Sequence, residues 1–349
     1  MNVPKIRFPN YIDNYEKLKY GDVLKIKSGR DQKQVECENG QYPILGTGGE
    51  IGRSNSYLYN KPSVLIGRKG TINKPQYMET PFWTVDTLFY SEIFDTCFPK
   101  YLYYSFQNVN WKKYDESTGV PSLSCSTIEK VDCFIPKKDE QIKVSNFLSL
   151  LDKKIELQSK KIEDLKLFKL CIMRELFNSI KINNSIKIKD IAKVEKGNQI
   201  NGDLLLKDGK YYMLNGGINP SGYLNEYNRN ENTITISEGG NSCGYVSFNK
   251  EKFWCGGHCY SVTPNNINND YLYQILKFNE KTIMDLRVGS GLPNIQKKDI
   301  ENFSLNIHNK EEQKNIATKL SKYDYKINLE ERYLIKLKDL KRLTQTYFA

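Results

Sequence analysis

Asp139–Ile155 reads DEQIKVSNFLSLLDKKI, and Glu311–Ile327 reads EEQKNIATKLSKYDYKI. Glu140, Gln141, Leu148, Asp152 and Ile155 recur as Glu312, Gln313, Leu320, Asp324 and Ile327, each pair 172 residues apart (Gln141 to Gln313). The match extends outward in both directions. GDVLKIKSG (Gly21–Gly29) recurs as KDIAKVEKG (Lys189–Gly197), and YPILGTGGEIG (Tyr42–Gly52) as YYMLNGGINPSG (Tyr211–Gly222). SVLIGRKG (Ser63–Gly70) recurs as TITISEGG (Thr233–Gly240), PFWTVD (Pro81–Asp86) as KFWCGG (Lys252–Gly257), and TGVPSLS (Thr118–Ser124) as SGLPNIQ (Ser290–Gln296). The spacing creeps from 168 (Asp22 to Asp190) to 172 without reversing, as small loop insertions make it do. The chain is one pattern written twice.

Each copy is a globular stretch followed by a long helix. Short β-branched or aromatic runs punctuated by glycine read as strands: SVLIG, NTITIS, LFYSEIF. FPKYLYYSFQ and NNDYLYQILKF read as one short helix per copy. The long helices carry a seam with alternating steps of three and four. In the first it runs through Leu148, Leu151, Ile155, Gln158, Ile162, Leu165, Lys169, Ile172 and Leu176. In the second it runs through Leu320, Tyr323, Ile327, Glu330, Leu334, Leu337, Lys341, Thr344 and Phe348. A shared register, polar at Gln158 and Glu330 alike, suits two helices that pair with each other better than two surface helices. The expected fold is α+β: two β-rich domains, residues 1–135 and 181–306, each followed by a helix, 136–180 and 307–349, the helices pairing as an antiparallel coiled coil.

Composition narrows the function. The chain has 349 residues, a formal charge of +11 and 12% aromatic residues, which points to a folded protein with a polyanionic partner, nucleic acid before membrane. There is no run of about 18 apolar residues, so the chain is expected to be soluble and cytoplasmic. The eight cysteines include no C-x-x-C pair. Cys243, Cys255, His258 and Cys259 could hold zinc in principle, but zinc sites use paired short loops and only CGGHC is local, so no metal is expected. GTGGEIG (Gly46–Gly52) is not a phosphate loop, since Ile51 and Gly52 stand where the Walker pattern needs Gly and Lys. Its glycines are turns between strands.

Two units on an antiparallel helix pair suit split recognition of DNA. Leu148 to Leu176 spans about 42 Å at about 1.5 Å per residue, and a turn of B-DNA is about 34–36 Å. The candidate DNA-contacting residues lie in the glycine-rich loops: Arg53, Arg68, Lys69, Thr71, Lys74, Lys112 and Lys113 in the first unit. In the second they are Arg229, Glu238, Asn241, Ser242 and Arg287. Cations there would meet phosphates, glutamate could accept from cytosine, and asparagine could read adenine.

PKIRFP (Pro4–Pro9), LIGRKGTI (Leu65–Ile72), GVPSLS (Gly119–Ser124), IPKKDEQ (Ile135–Gln141) and LDKKIELQSKKIEDLK (Leu151–Lys166), in this order and again in the second half, resemble the specificity subunit of bacterial type I restriction–modification enzymes. One departure is LNIHNKEEQ (Leu305–Gln313), with His308 where the family has proline, which bears on how the second helix is entered. The resemblance implies a non-catalytic chain that recognises an asymmetric bipartite site in double-stranded DNA. It also implies partners: two methyltransferase subunits using S-adenosylmethionine, and restriction subunits using ATP and Mg. The sequence has no NPPY-like tetrapeptide, NPSG at Asn219–Gly222 lacking the second proline and the aromatic residue. The alternative class is an enzyme in its own right, a stand-alone methyltransferase or nuclease with an unrecognised active site.

Overall fold

The computed structural model describes residues 7–179, 185–289, 291 and 293–348, without the side chains of Tyr347 and Phe348. Pro4–Ile6 of the first motif, Ser290 and Leu292 of the second G-x-P loop, and the Phe348 seam side chain therefore lie outside it. The fold is α+β, and the duplication is complete at the level of topology. The first half contains strands β1 (Glu16–Lys19), β2 (Leu24–Lys27), β3 (Tyr42–Gly46), β4 (Gly49–Ser54), β5 (Ser63–Gly67), β6 (Gln76–Met78), β7 (Trp83–Thr84), β8 (Leu88–Ile93) and β9 (Asp132–Ile135). The second contains β10 (Ser185–Lys187), β11 (Ala192–Lys196), β12 (Tyr211–Leu214), β13 (Gly222–Leu224), β14 (Thr233–Ser237), β15 (Val246–Asn249), β16 (Trp254–Cys255), β17 (Cys259–Pro264) and β18 (Ser304–Asn306). The sheets β2-β8-β5-β6, β4-β3-β7 and β1-β9 recur as β11-β17-β14-β15, β13-β12-β16 and β10-β18. Even the parallel pairings, β3 with β7 and β12 with β16, are repeated.

The central strands show why SVLIG is apolar without alternation. Val64 and Ile66 of β5 face one core with Leu102 and Phe106 of helix α1 (Pro99–Asn108), while Leu65 faces a second with Leu45, Phe82 and Leu88. A strand covered on both faces needs apolar residues at every position. In the second half Ile234 and Ile236 of β14 pack with Leu272 and Leu276, but Thr235 stands where Leu65 does and takes a hydrogen bond from Asn249. The two short helices form where their sequences suggest. Helix α1 starts on Pro99, whose missing N–H costs nothing at a first helical position.

Two long helices follow, α2 (Lys138–Asn178) and, after helix α3 (Asn269–Phe278, which carries Leu272 and Leu276), α4 (Lys310–Phe348). The chain divides into two compact units, residues 1–159 with 333–349 and residues 160–332. Each unit therefore holds a segment of both long helices. In the first unit Lys341 meets Asp152 at 2.5 Å and Lys154 lies over the Tyr333 ring. In the second, Lys161 meets Glu330 at 2.7 Å and Lys169 meets Asp324 at 2.6 Å. In both, numbers rise on one helix as they fall on the other: the segments run antiparallel. Leu148, Leu151, Ile162, Leu320, Ile327 and Leu337 are buried, and Ile155, Leu165, Leu176, Tyr323 and Leu334 are half-buried.

The seam lysines have a structural reason. Lys169 and Lys341 are 172 residues apart, as are their partners Asp324 and Asp152. The second carboxylate oxygen accepts from the short helix of each unit: Tyr104 Oη to Asp152 at 2.8 Å, Gln274 Nε2 to Asp324 at 2.6 Å. Each junction ties three helices through one carboxylate. Burial lowers the Lys169 pKa from its ordinary value, so the Asp324 counter-charge is what keeps the ammonium tolerable there.

His308 fits its position by chemistry that proline lacks. Its backbone N–H donates to Tyr271 Oη at 3.0 Å, and Nδ1 lies 2.7 Å from the same oxygen. Nε2 is 3.2 Å from the Leu176 carbonyl, which can only accept, so the ring proton sits on Nε2. Helix α4 then begins on a capping box, with Glu312 N donating to Asn309 Oδ1 and Asn309 N to Glu312 Oε2.

Replacing Asp324 by leucine leaves the Lys169 charge nine-tenths buried without its counter-ion, and we expect a loss on the order of 3 kcal/mol in denaturant unfolding. Lys169→Met in the same chain should recover most of it. An unchanged midpoint for Asp324→Leu would show that the junction does not support the fold.

Candidate nucleic-acid interface

The end of each unit that carries the glycine-rich loops is built by three repeated contacts. After β2 and β11 the chain turns beneath the β7 and β16 segments. A Cβ on Gly29 would sit 2.0 Å from the Val85 carbonyl oxygen, and one on Gly197 would sit 2.2 Å from that of Gly256. No other residue fits. Next, a tryptophan pins the following residue: Trp83 Nε1 donates to the Arg30 carbonyl at 3.0 Å, and Trp254 Nε1 to that of Asn198 at 2.9 Å. Third, the loop after β5 or β14 is clasped to the G-x-P loop. Gly70 N donates to Pro121 O at 2.8 Å and Gly240 N to Pro293 O at 3.0 Å. Both glycines have left-handed φ, +88° and +74°, which accounts for the glycine closing both GRKG and SEGG.

In the first unit the clasp gathers Arg68, Lys69 and Thr71 beside the loop 115–122. Leu123 N donates to Arg68 O, and Lys69 bridges to Ser122. Lys69 is exposed, Arg68 and Thr71 are half-buried, and Arg30 projects from the Trp83-pinned turn into solvent. The loop itself is stapled by Asp115, whose Oδ1 accepts from Ser117 N, Ser117 Oγ and Ser122 N. The Ser122 and Ser117 amides hold this carboxyl below the ordinary aspartate range. Lys112 and Lys113 are exposed on the single turn Trp111–Tyr114 just before it, and Lys74 is exposed before β6. Arg53 is placed elsewhere, on β4, with its guanidinium directed to Glu50 and to the carbonyls of Gly40 and Gln41.

The second unit corrects two expectations. Glu238 is not an open acceptor for a base edge: it is 5% exposed, and its Oε1 accepts from Lys196 Nζ at 2.6 Å and Tyr260 Oη at 2.8 Å. Its Oε2 lies 3.4 Å from Nδ1 of the exposed His258. A carboxylate so enclosed positions its neighbours. Arg229 is likewise occupied, donating to Ser261 Oγ and the Asn228 carbonyl. Asn241 and Arg287 are exposed, and Ser242 Oγ donates to the Gly216 carbonyl, joining its loop to the β12–β13 turn.

Lys196, His258 and Arg30 belong to this end of the units but were not among the sequence candidates. Their signal was available, because Arg30 follows the repeated Gly29, Lys196 precedes the repeated Gly197, and His258 follows the repeated KFWCGG. Cys243, Cys255 and Cys259 are buried free thiols, and burial pushes the Cys243 thiol up. Among the described residues no group of three or more His, Cys, Asp or Glu could hold a metal ion, and no helix is long and apolar enough to cross a membrane.

The family model described as the type I restriction modification DNA specificity domain matches this chain twice, over residues 12–167 and 182–339. A Mycoplasma pneumoniae protein assigned as a type I specificity subunit is 36% identical over 141 residues, 39% of this chain and 37% of that protein. A Mycoplasma genitalium protein so assigned is 32% identical over 157 residues, 42% of this chain and 41% of that one. The matched stretch thus spans less than half of each curated relative. The crystal structure of a type I restriction–modification S subunit from M. genitalium superposes with a TM-score of 0.75 at 19% identity, covering 99% of this chain and 98% of that one. At that identity the likeness is one of fold.

Glu238→Ala should lower stability by about 2 kcal/mol, because it opens a buried space and removes the charged acceptor of Tyr260, which keeps only the Ile295 carbonyl, and of the half-exposed Lys196. Asn241→Ala, on the same loop but exposed, should stay within about 0.5 kcal/mol. Equal midpoints for the two variants in urea unfolding would return Glu238 to the list of surface contacts.

Proposed function

Since this chain belongs to the type I restriction modification DNA specificity family, carrying two copies of its domain, we propose that it is the non-catalytic subunit that selects the DNA sequence for a restriction–modification complex. The single observation that carries the reading is the duplicated loop clasp. Two topologically identical units present the same loop scaffold with different exposed side chains upon it, Lys69 in one and Asn241 in the other. Scaffolds that match while their surface residues differ suit two half-sites of different sequence, hence an asymmetric bipartite target in double-stranded DNA.

In this reading residues 1–135 and 181–306 are the recognition domains, and 136–180 and 307–349 are the spacer helices that set the unread interval. Arg68, Lys69, Thr71, Lys74, Lys112 and Lys113 serve the first half-site; Asn241, Ser242 and Arg287 serve the second, with Lys196 and His258 beside them. The chemistry belongs to partners: two methyltransferase subunits with S-adenosylmethionine, and restriction subunits with ATP and Mg. The complex works in the cytoplasm, where its DNA is.

The purified chain should transfer no methyl group and cut no DNA, and methylation should appear when a methyltransferase subunit is added. Sustained turnover by the chain alone, with contamination excluded, would establish the stand-alone enzyme instead. Recognition should also be modular. In methylome sequencing, Arg68→Ala should relax one half of the recognised sequence, by about 1–3 kcal/mol of discrimination if the contact is bidentate, and leave the other half intact. A change spreading to both halves would show that the units do not read independently.

A further inference from the structure

The loop 115–122 of the first unit has a feature that base reading by the cationic loop leaves unexplained. Its tip, Thr118–Gly119–Val120–Pro121, is exposed at all four residues, and Val120 is 66% exposed. An exposed valine is ordinary on a loose loop, but this loop is held from three sides. Asp115 accepts three hydrogen bonds across its neck, Glu116 N donates to Ser122 O at 3.0 Å, and Gly70 N donates to Pro121 O at 2.8 Å. The apolar edge is thus held out in solvent by a fixed scaffold, with Arg68 and Lys69 directly behind it.

The sequence adds an independent observation. The second copy reads Gly291-Leu292-Pro293 where the first reads Gly119-Val120-Pro121. Leu292 lies outside the described residues, but the Gly240–Pro293 clasp, next to it in sequence, matches the Gly70–Pro121 clasp. Neighbouring loop residues differ between the copies, whereas a branched aliphatic residue between glycine and proline is kept. A residue type common to both units suits a task common to both half-sites, not discrimination between bases.

Resting on the DNA reading above, we infer that the Val120–Pro121 edge enters the duplex as an apolar wedge, parting one base step of the first half-site while Lys69 holds a flanking phosphate. Apolar side chains and proline on rigid loops can do this, offsetting the lost stacking by apolar contact and by the closer approach that a kinked duplex allows.

The test uses the full chain assembled with its methyltransferase and a duplex carrying the methylome-determined site. 2-Aminopurine is placed in turn at each step of the first half-site, except at the methylated adenine, whose extrusion gives the same signal. The wild-type complex should raise fluorescence at one step. Val120→Ser should remove that rise, and Val120→Leu should keep it, with the unfolding midpoint unchanged in both because the side chain is exposed. Val120→Ser should also bind the matched duplex about tenfold more weakly, and a mismatch at that step should restore most of the loss, since the stacking is then already broken. Tight binding by Val120→Ser with the fluorescence rise intact overturns the wedge, as does wild-type binding with no rise at any step. A wild-type complex that binds no duplex overturns the DNA reading and the wedge with it.

Discussion

Each compact unit is closed by a helix segment that the other half of the sequence supplies, and the rest of the molecule follows from this exchange. In the first unit, Gln345 of α4 donates to the Tyr104 carbonyl and to Gln107 Oε1, and Asn108 donates back to the Gln345 carbonyl, 237 residues away in sequence. In the second, Ile172, Met173 and Phe177 of α2 enter the core, and His308 binds the Leu176 carbonyl. The core of the second copy thus includes residues of the first copy's long helix, whereas α4 joins the first copy through polar contacts. The exchange is possible because the two copies are alike, so a helix that fits its own repeat's pattern also fits its partner's.

The price of that arrangement is polarity inside the helix contacts. Lysine at Lys169 and Lys341 is a poor seam residue unless a carboxylate meets it, and Asp324 and Asp152 do so in both units. Partly buried ion pairs such as these contribute little net stability over apolar packing, but they penalise any pairing that separates them. Two of them at equivalent places favour one register and one direction. The third partner differs, Tyr104 in one unit and Gln274 in the other, so the same junction accommodates two different short helices.

The loop end is built on the same economy. Gly29 with Gly197, Trp83 with Trp254, and Gly70 with Gly240 hold the backbone in both units, leaving the intervening positions free to vary. A scaffold made of main-chain hydrogen bonds and glycines tolerates Arg68 in one copy and Glu238 in the other. That is also why the two candidates, aligned in sequence, differ in fate: Arg68 reaches the surface, while Glu238 folds inward onto Lys196 and Tyr260.

The sequence by itself determined the duplication, the α+β class, and the positions of the short and long helices, because these rest on periodicity and on matches that survive at fixed spacing. In GTGGEIG only Thr47–Gly48 turn between β3 and β4; Gly46 ends one strand, and Gly49 and Gly52 belong to the other, against the expectation that all four are turn residues. Only the tertiary structure decided which loop residues face outward. Exposure of Glu238 or Arg229 depends on partners more than twenty residues away, the donor Tyr260 and the acceptor Ser261, and no local pattern encodes such a meeting. The same holds for the seam lysines, tolerated in the sequence reading without a reason. Their reason is an aspartate more than 150 residues distant, brought within 2.6 Å only when the helices run antiparallel.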